Sequence, residues 1–245
     1  MSTAVQLAAF AFADALVAAS PGDKPYRAVV FLLSLAGHRR AGANDRTARD
    51  LHTRSHLRAK KISADLRTAF TLDYDPLDVF EFGSFDDLLT KRPPGGAQWQ
   101  DIILITHGSG EQPAGFTGQI FFGREVFTIS GSGTNDLLDA INAKKSRVTA
   151  FRKGFDPEAA SSLIGCGVGA TGPDVAIYVR ELFGVEGQIK FPIKNVDFFR
   201  NGELGIAKNP DNPREGLRPL TDDDWRIVAP KKPTLTGDRI PPSGF

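Results

Sequence analysis

Two short words in the chain end on side chains able to do nucleophilic chemistry. Ile102-Ile103-Leu104-Ile105-Thr106-His107-Gly108 is an apolar run that stops on a histidine beside glycine. Ser162-Leu163-Ile164-Gly165-Cys166-Gly167 is a second such run, and it stops on the only cysteine in the protein. A thiol becomes a strong nucleophile at neutral pH when a base takes its proton, and imidazole is the usual base. In this pairing Cys166 attacks a carbonyl carbon, while His107 activates the thiol or protonates the leaving amine. Glycine after the histidine lets a carbonyl approach closely, and the N–H groups of Gly108 and Cys166 are candidate donors to the oxyanion. Taken singly, each residue has an ordinary structural explanation. A lone cysteine is often a small core hydrophobe, and a lone histidine a core or capping residue. The shared context of the two favours chemistry.

That context is two strand ends. Neighbouring parallel strands present such residues side by side at their carboxyl ends, where open α/β sheets bind ligands. The rest of the sequence supplies the strands and helices for that arrangement. Ala28 to Leu35 is a continuous apolar run, as expected of a strand covered on both faces. A loop holding His38, Arg39, Arg40 and Gly42 leads into a charged helix from Asp45 to Phe70. Val79 to Phe82 reads as a strand, Phe85 to Thr90 as a short helix and Asp101 to Thr106 as the histidine strand. Gly118 to Ile129 reads as a hairpin turning near Gly123, and Thr134 to Ala143 as an amphipathic helix. The cysteine strand, Ala160 to Gly165, precedes a helix from Pro173 to Phe183 that Gly184 stops. Gln188 to Ile193 is a further strand. Alternation of this kind predicts an α/β fold with a mostly parallel central sheet flanked by helices. The expected organisation is an N-terminal helix over residues 1–22, one domain over 23–207 and a Pro-rich polar tail over 208–245.

Three other constellations compete for a role. Gly167-Val168-Gly169-Ala170-Thr171-Gly172 is a G-x-G-x-x-G between a strand and a helix, which in a dinucleotide-binding domain would seat pyrophosphate on Gly167, Gly169 and Gly172. The acidic residue that should end the next strand is missing from Phe191-Pro192-Ile193-Lys194-Asn195, so a tight turn around an exposed nucleophile explains these glycines better. His52 and His56 share a helix face, but Thr53-Arg54-Ser55 lies between them where a zinc protease carries glutamate; an exposed Arg-rich face and no metal are expected. Lys144-Lys145-Ser146-Arg147 and Phe151-Arg152-Lys153 form a basic cluster, either a solvated surface or a polyanion site.

Composition narrows the classes. Hydrophobic residues at 41% support a real core, and a net charge of +1 gives no bulk pull toward nucleic acid or a membrane surface. A single cysteine forms no internal disulfide and fits a reducing compartment, so a cytoplasmic location is expected. The apolar start from Ala4 to Ala19 has no basic residue before it and is broken by Asp14, which favours a packed helix over a signal peptide.

The order of these words resembles the caspase-like cysteine peptidases, in which a strand ending in His-Gly is followed by a small hairpin, a helix and a strand ending in the nucleophilic cysteine. The correspondence runs through Ile103-Leu104-Ile105-Thr106-His107-Gly108-Ser109-Gly110-Glu111, Gly118-Gln119-Ile120-Phe121-Phe122-Gly123 and Leu163-Ile164-Gly165-Cys166-Gly167, and covers roughly Arg27 to Phe199. The Gly-Cys-Gly form is more similar to bacterial relatives, including toxin autoprocessing domains and CHAT-type peptidases, than to caspases proper. The resemblance implies a caspase-like three-layer sandwich and a cysteine endopeptidase. His107 and Cys166 would be its dyad, and Gly108 and Cys166 its oxyanion donors. It also implies no cofactor, a protein or peptide substrate, and an activating protein or polyanionic ligand as partner. Arg40, in Arg40-Ala41-Gly42-Ala43-Asn44-Asp45, loosely resembles the arginine that such enzymes place in the primary specificity pocket; otherwise it belongs to a solvated basic helix start. The alternatives are a catalytically silent regulatory or scaffold module of the same fold, and the nucleotide-binding domain.

Overall fold

A computed structural model describes residues 25–109, 118–129, 135–166, 168, 174–209 and 215–231. The chain runs through β1 (Ala28–Leu33), α1 (Leu35–Arg40), α2 (Asp45–Phe70), β2 (Leu77–Phe82), α3 (Phe85–Leu88), β3 (Trp99–Ile105), β4 (His107–Ser109), β5 (Gln119–Phe122) and β6 (Glu125–Thr128). It continues through α4 (Leu137–Ala143), α5 (Lys145–Arg152), β7 (Phe155–Ile164), α6 (Val175–Phe183), β8 (Ile189–Pro192), β9 (Val196–Phe198), β10 (Leu204–Ala207), β11 (Leu217–Pro219) and β12 (Trp225–Val228).

The main sheet has six strands in the order β12-β8-β7-β3-β1-β2. Every pairing in it is parallel except that of β12 with β8. The protein is therefore mixed α/β with a mostly parallel sheet, as the alternation of elements predicts. Every side chain of β1 is buried, which is why its sequence is apolar without alternation. Val29, Phe31 and Leu33 face a core shared with Phe151 of α5, Phe155 of β7 and Phe183 of α6. Ala28, Val30 and Leu32 face Ala59, Ile62 and Leu66 of α2. Phe31 meets the rings of Trp99, Phe151, Phe155 and Phe183 at centroid separations of 5.7–6.3 Å. Truncating it to alanine would cost about 3–5 kcal/mol in a core of this density.

Among the described residues there are two smaller sheets, one of β4-β5-β6 and one of β9-β10-β11. The first contains the expected hairpin, with Gly123 at its turn. Helix α2 has the expected bounds: Asn44 caps it by accepting from the Thr47 N–H at 3.0 Å, and Thr71 closes it in the left-handed region at φ 53°. Among the described residues no helix is long and apolar enough to cross a membrane.

Several expectations need correction. Residues 38–40 belong to α1 rather than to a loop, because Ser34 at the end of β1 caps a new helix by accepting from the Gly37 N–H at 3.1 Å. The basic cluster before the cysteine strand, for which no element was expected, spans helix α5 and its caps Lys144 and Lys153, with Phe151 in the core. The chain beyond residue 208 is not all tail. β11 pairs with β10, and β12 forms the antiparallel edge of the main sheet. This segment is held by polar anchoring that composition hides. Asp224 is buried and accepts from both terminal nitrogens of Arg218 at 2.7 and 2.9 Å and from the Thr221 N–H at 2.8 Å. Burial would raise its pKa, but Arg218, Thr221 and Lys194 outweigh burial and hold it well below the usual carboxylate range. Lys190 caps the Trp225 ring at 4.6 Å. The expected N-terminal helix and residues 232–245 lie outside the described residues.

Candidate active site

The two chemical words meet because their strands are neighbours. β3 and β7 pair in parallel with Leu104 opposite Leu163 and Ile105 opposite Ile164, and the Thr106 N–H donates to the Ile164 carbonyl at 3.0 Å. One residue further, each chain leaves the sheet. His107 opens β4 and pairs with Phe121 of β5, while the Thr106 hydroxyl donates to the Phe121 carbonyl. Cys166 follows Gly165 at the end of β7, half-buried, and its thiol donates to the Val196 carbonyl of β9 at 3.2 Å.

Gly108 is the joint between the two words. A Cβ built on it would sit 2.5 Å from Val168 Cγ2, 3.0 Å from the Cys166 carbonyl oxygen and 3.1 Å from the Cys166 nitrogen. No side chain fits there, so the glycine after the histidine is required by packing against the cysteine turn. The same contact brings the backbones of Gly108 and Cys166, the two candidate oxyanion donors, against one another.

A third residue joins them that sequence reasoning passed over. His38 is 4% exposed, and its Nδ1 lies 3.0 Å from His107 Nε2. The rings are nearly perpendicular, with centroids 5.0 Å apart. Helix α1 places His38 one turn beyond β1, the strand beside β3 in the sheet. Gly37 lets α1 pack closely on the strand ends, since a Cβ there would sit 2.6 Å from Leu33 Cδ1 and 3.2 Å from the Phe82 carbonyl oxygen. A signal existed in the sequence: Ser34 followed by Gly37-His38 directly after a buried strand can be read as a capped helix start. Its contact with His107 spans 69 residues and has no local mark.

The electrostatics of this pair follow from burial. Desolvation, followed by the neighbouring His107 and His52, pushes the His38 pKa down to about 4. Desolvation also lowers His107. Two neutral imidazoles sharing one proton are therefore the state near pH 7. When His107 Nε2 donates to His38 Nδ1, His107 Nδ1 keeps a lone pair, the tautomer a base needs. His38 then carries its proton on Nε2, which is buried without a hydrogen-bond partner among the described residues. In that tautomer the buried unpaired donor costs roughly 1–3 kcal/mol.

Arg40 ends α1, which follows β1 at the same carboxyl end of the parallel strands, and is exposed. Its terminal nitrogen lies 3.7 Å from where a Cβ of Gly83 would be, just past β2, and its own Cβ borders the Gly123 turn. Of the G-x-G-x-x-G glycines, Gly167, Gly169 and Gly172 lie outside the described residues. In the basic cluster, Lys144 and Arg147 pair with Asp86 at 2.8 and 2.7 Å, and Arg152 pairs with Glu181 at 3.0 Å. His52 and His56 do share a face of α2, and both reach Glu81 of β2. No protein-family model matches the chain, and neither does any curated protein.

Proposed function

We propose that the chain is a cysteine endopeptidase of the caspase-like type, with Cys166 as nucleophile, His107 as its acid and base, and His38 as the residue that orients His107. The observation that supports this reading is the contact of Gly108 with the Cys166 backbone at paired ends of β3 and β7, with a neutral histidine behind His107. The order of His-Gly strand, hairpin, helix and cysteine strand is the one on which the family resemblance rests.

The chemistry runs in two halves. His107 Nδ1 takes the thiol proton, and the sulfur attacks the peptide carbonyl carbon, giving a tetrahedral oxyanion facing the N–H groups of Gly108 and Cys166. Collapse of this intermediate breaks the C–N bond as His107 gives the proton to the leaving amine, and a thioester remains. Water then attacks the thioester while His107 accepts its proton. Expulsion of the sulfur releases the carboxylic acid and restores the thiol. His38 holds the His107 Nε2 proton throughout, so that Nδ1 serves the reacting atoms.

The bond from the Cys166 thiol to Val196 favours a second reading, a module that is silent until β9 moves and frees the thiol proton. Incubating the purified full chain with a peptide library, with and without inorganic polyphosphate as a polyanion, separates the two. Cleavage by wild type but not by Cys166→Ala supports the peptidase. Cleavage that requires polyphosphate supports a gated enzyme, and its absence under both conditions supports the silent module.

A further inference from the structure

We infer that His52, His56 and Glu81 form a binding site for one divalent transition-metal ion of the zinc class, sharing no ligand with the cysteine–histidine centre. The inference rests on convergence. His52 Nε2 and His56 Nε2 lie 3.0 and 2.8 Å from the same oxygen, Glu81 Oε1. All three ligand atoms lie within 4.8 Å of one another, and among the described residues this is the one group of three or more such side chains so placed. An ion with bonds of about 2.0–2.2 Å in tetrahedral geometry needs ligand atoms about 3.3–3.6 Å apart. Small torsional adjustments of three side chains therefore admit it.

The scaffold is already in place. The two histidines sit one turn apart on a helix of 26 residues, where i and i+4 side chains share a face. Their rings stand 4.6 Å apart at 65°. Glu81 comes from a different element, β2, fixed in parallel register with β1 through the pair Leu32–Glu81. Side-chain exposures of 25%, 35% and 42% leave an open side through which an ion can enter and a water can complete the coordination. Imidazole nitrogen with one carboxylate oxygen suits zinc, cobalt and nickel better than calcium or magnesium, which prefer oxygen alone. Binding replaces two Nε2–H···O hydrogen bonds by three metal bonds, and each neutral ring frees Nε2 for the metal by exchanging its one proton through water onto Nδ1.

The test uses the full chain after chelator treatment and dialysis. Zinc is titrated in competition with a chromophoric chelator, and cobalt(II) is added separately for its visible spectrum. The expected result is one zinc per chain, with affinity lowered more than about tenfold in His56→Ala and in Glu81→Gln. Cys166→Ser should bind as wild type does, with no sulfur-to-cobalt charge-transfer band in any sample. Glu81→Gln is nearly isosteric at a half-exposed position, so it reports on the site even if His56→Ala folds poorly. Substoichiometric binding by wild type overturns the inference, as does unchanged affinity in Glu81→Gln. A charge-transfer band lost in Cys166→Ser would place the metal at the thiol instead and overturn it equally. None of these outcomes depends on peptidase activity.

Discussion

The four histidines of this chain fall into two pairs, and the pairs differ in almost every respect except residue type. His38 and His107 come from different elements, are desolvated, and bond directly to each other. His52 and His56 come from one helix, remain partly in water, and share a carboxylate. Burial outweighs the opposing charge of Glu81 on His38 and keeps the first pair neutral. In the second pair the imidazoles lower the Glu81 pKa against the opposing effect of its own burial, so the carboxylate stays ionised and available to a cation. On the two proposals made above, the same side chain serves as a proton-transfer group in one setting and a ligand in the other.

The comparison breaks most visibly at the buried pair. Cys166→Ala and His107→Ala should each lower peptide cleavage at least about a thousandfold while circular dichroism stays unchanged. Cleavage surviving in purified Cys166→Ala would remove the thiol from the chemistry.

Stability against pH sharpens the contrast. The His38 pKa is about 4 in the folded chain against an ordinary value of 6.5. A depressed folded value means the unfolded chain binds the proton first, so the stability is present above pH 6.5 and is lost as pH falls toward 4. The full loss is on the order of 3 kcal/mol. Urea denaturation across this window should show the decline in wild type, and His38→Asn should flatten it. An identical slope in both would show that the pair does not control acid stability.

His38 as a positioning residue predicts a smaller effect on turnover. His38→Ala should lower kcat about 10- to 100-fold with little change in KM, and should displace the acid limb of the pH–rate profile. His38→Asn keeps an acceptor near the position of Nδ1 and should recover most of the rate. Equal loss in both variants would argue for packing alone.

The smallest effect belongs to Arg40. If it binds an acidic residue before the cleaved bond, Arg40→Ala should erase about a tenfold preference for Asp over Leu at that position without ending turnover. A wild-type preference for Leu or Arg would leave Arg40 a surface residue.

Sequence alone determined the elements whose cause is local. Six successive apolar residues made β1 a strand buried on both faces, and the span from Asp45 to Phe70 was legible as one helix. The His-Gly and Gly-Cys words announced two strand ends, and alternation announced that those strands run parallel. Tertiary structure decided what depends on distance through the chain. The capped helix start at Ser34 is legible near His38, but nothing near it encodes the contact with His107, 69 residues away. Glu81 was invisible as a companion of His52 because the carboxylate arrives 29 residues later on a strand. The segment from Arg218 to Val228 looked like tail because its strand is a half-exposed edge, held by one buried carboxylate and one lysine over a tryptophan. Periodicity records which face of an element is dry. It carries no record of which polar atoms meet across the fold, because those contacts are fixed only when the sheet sets its strand order.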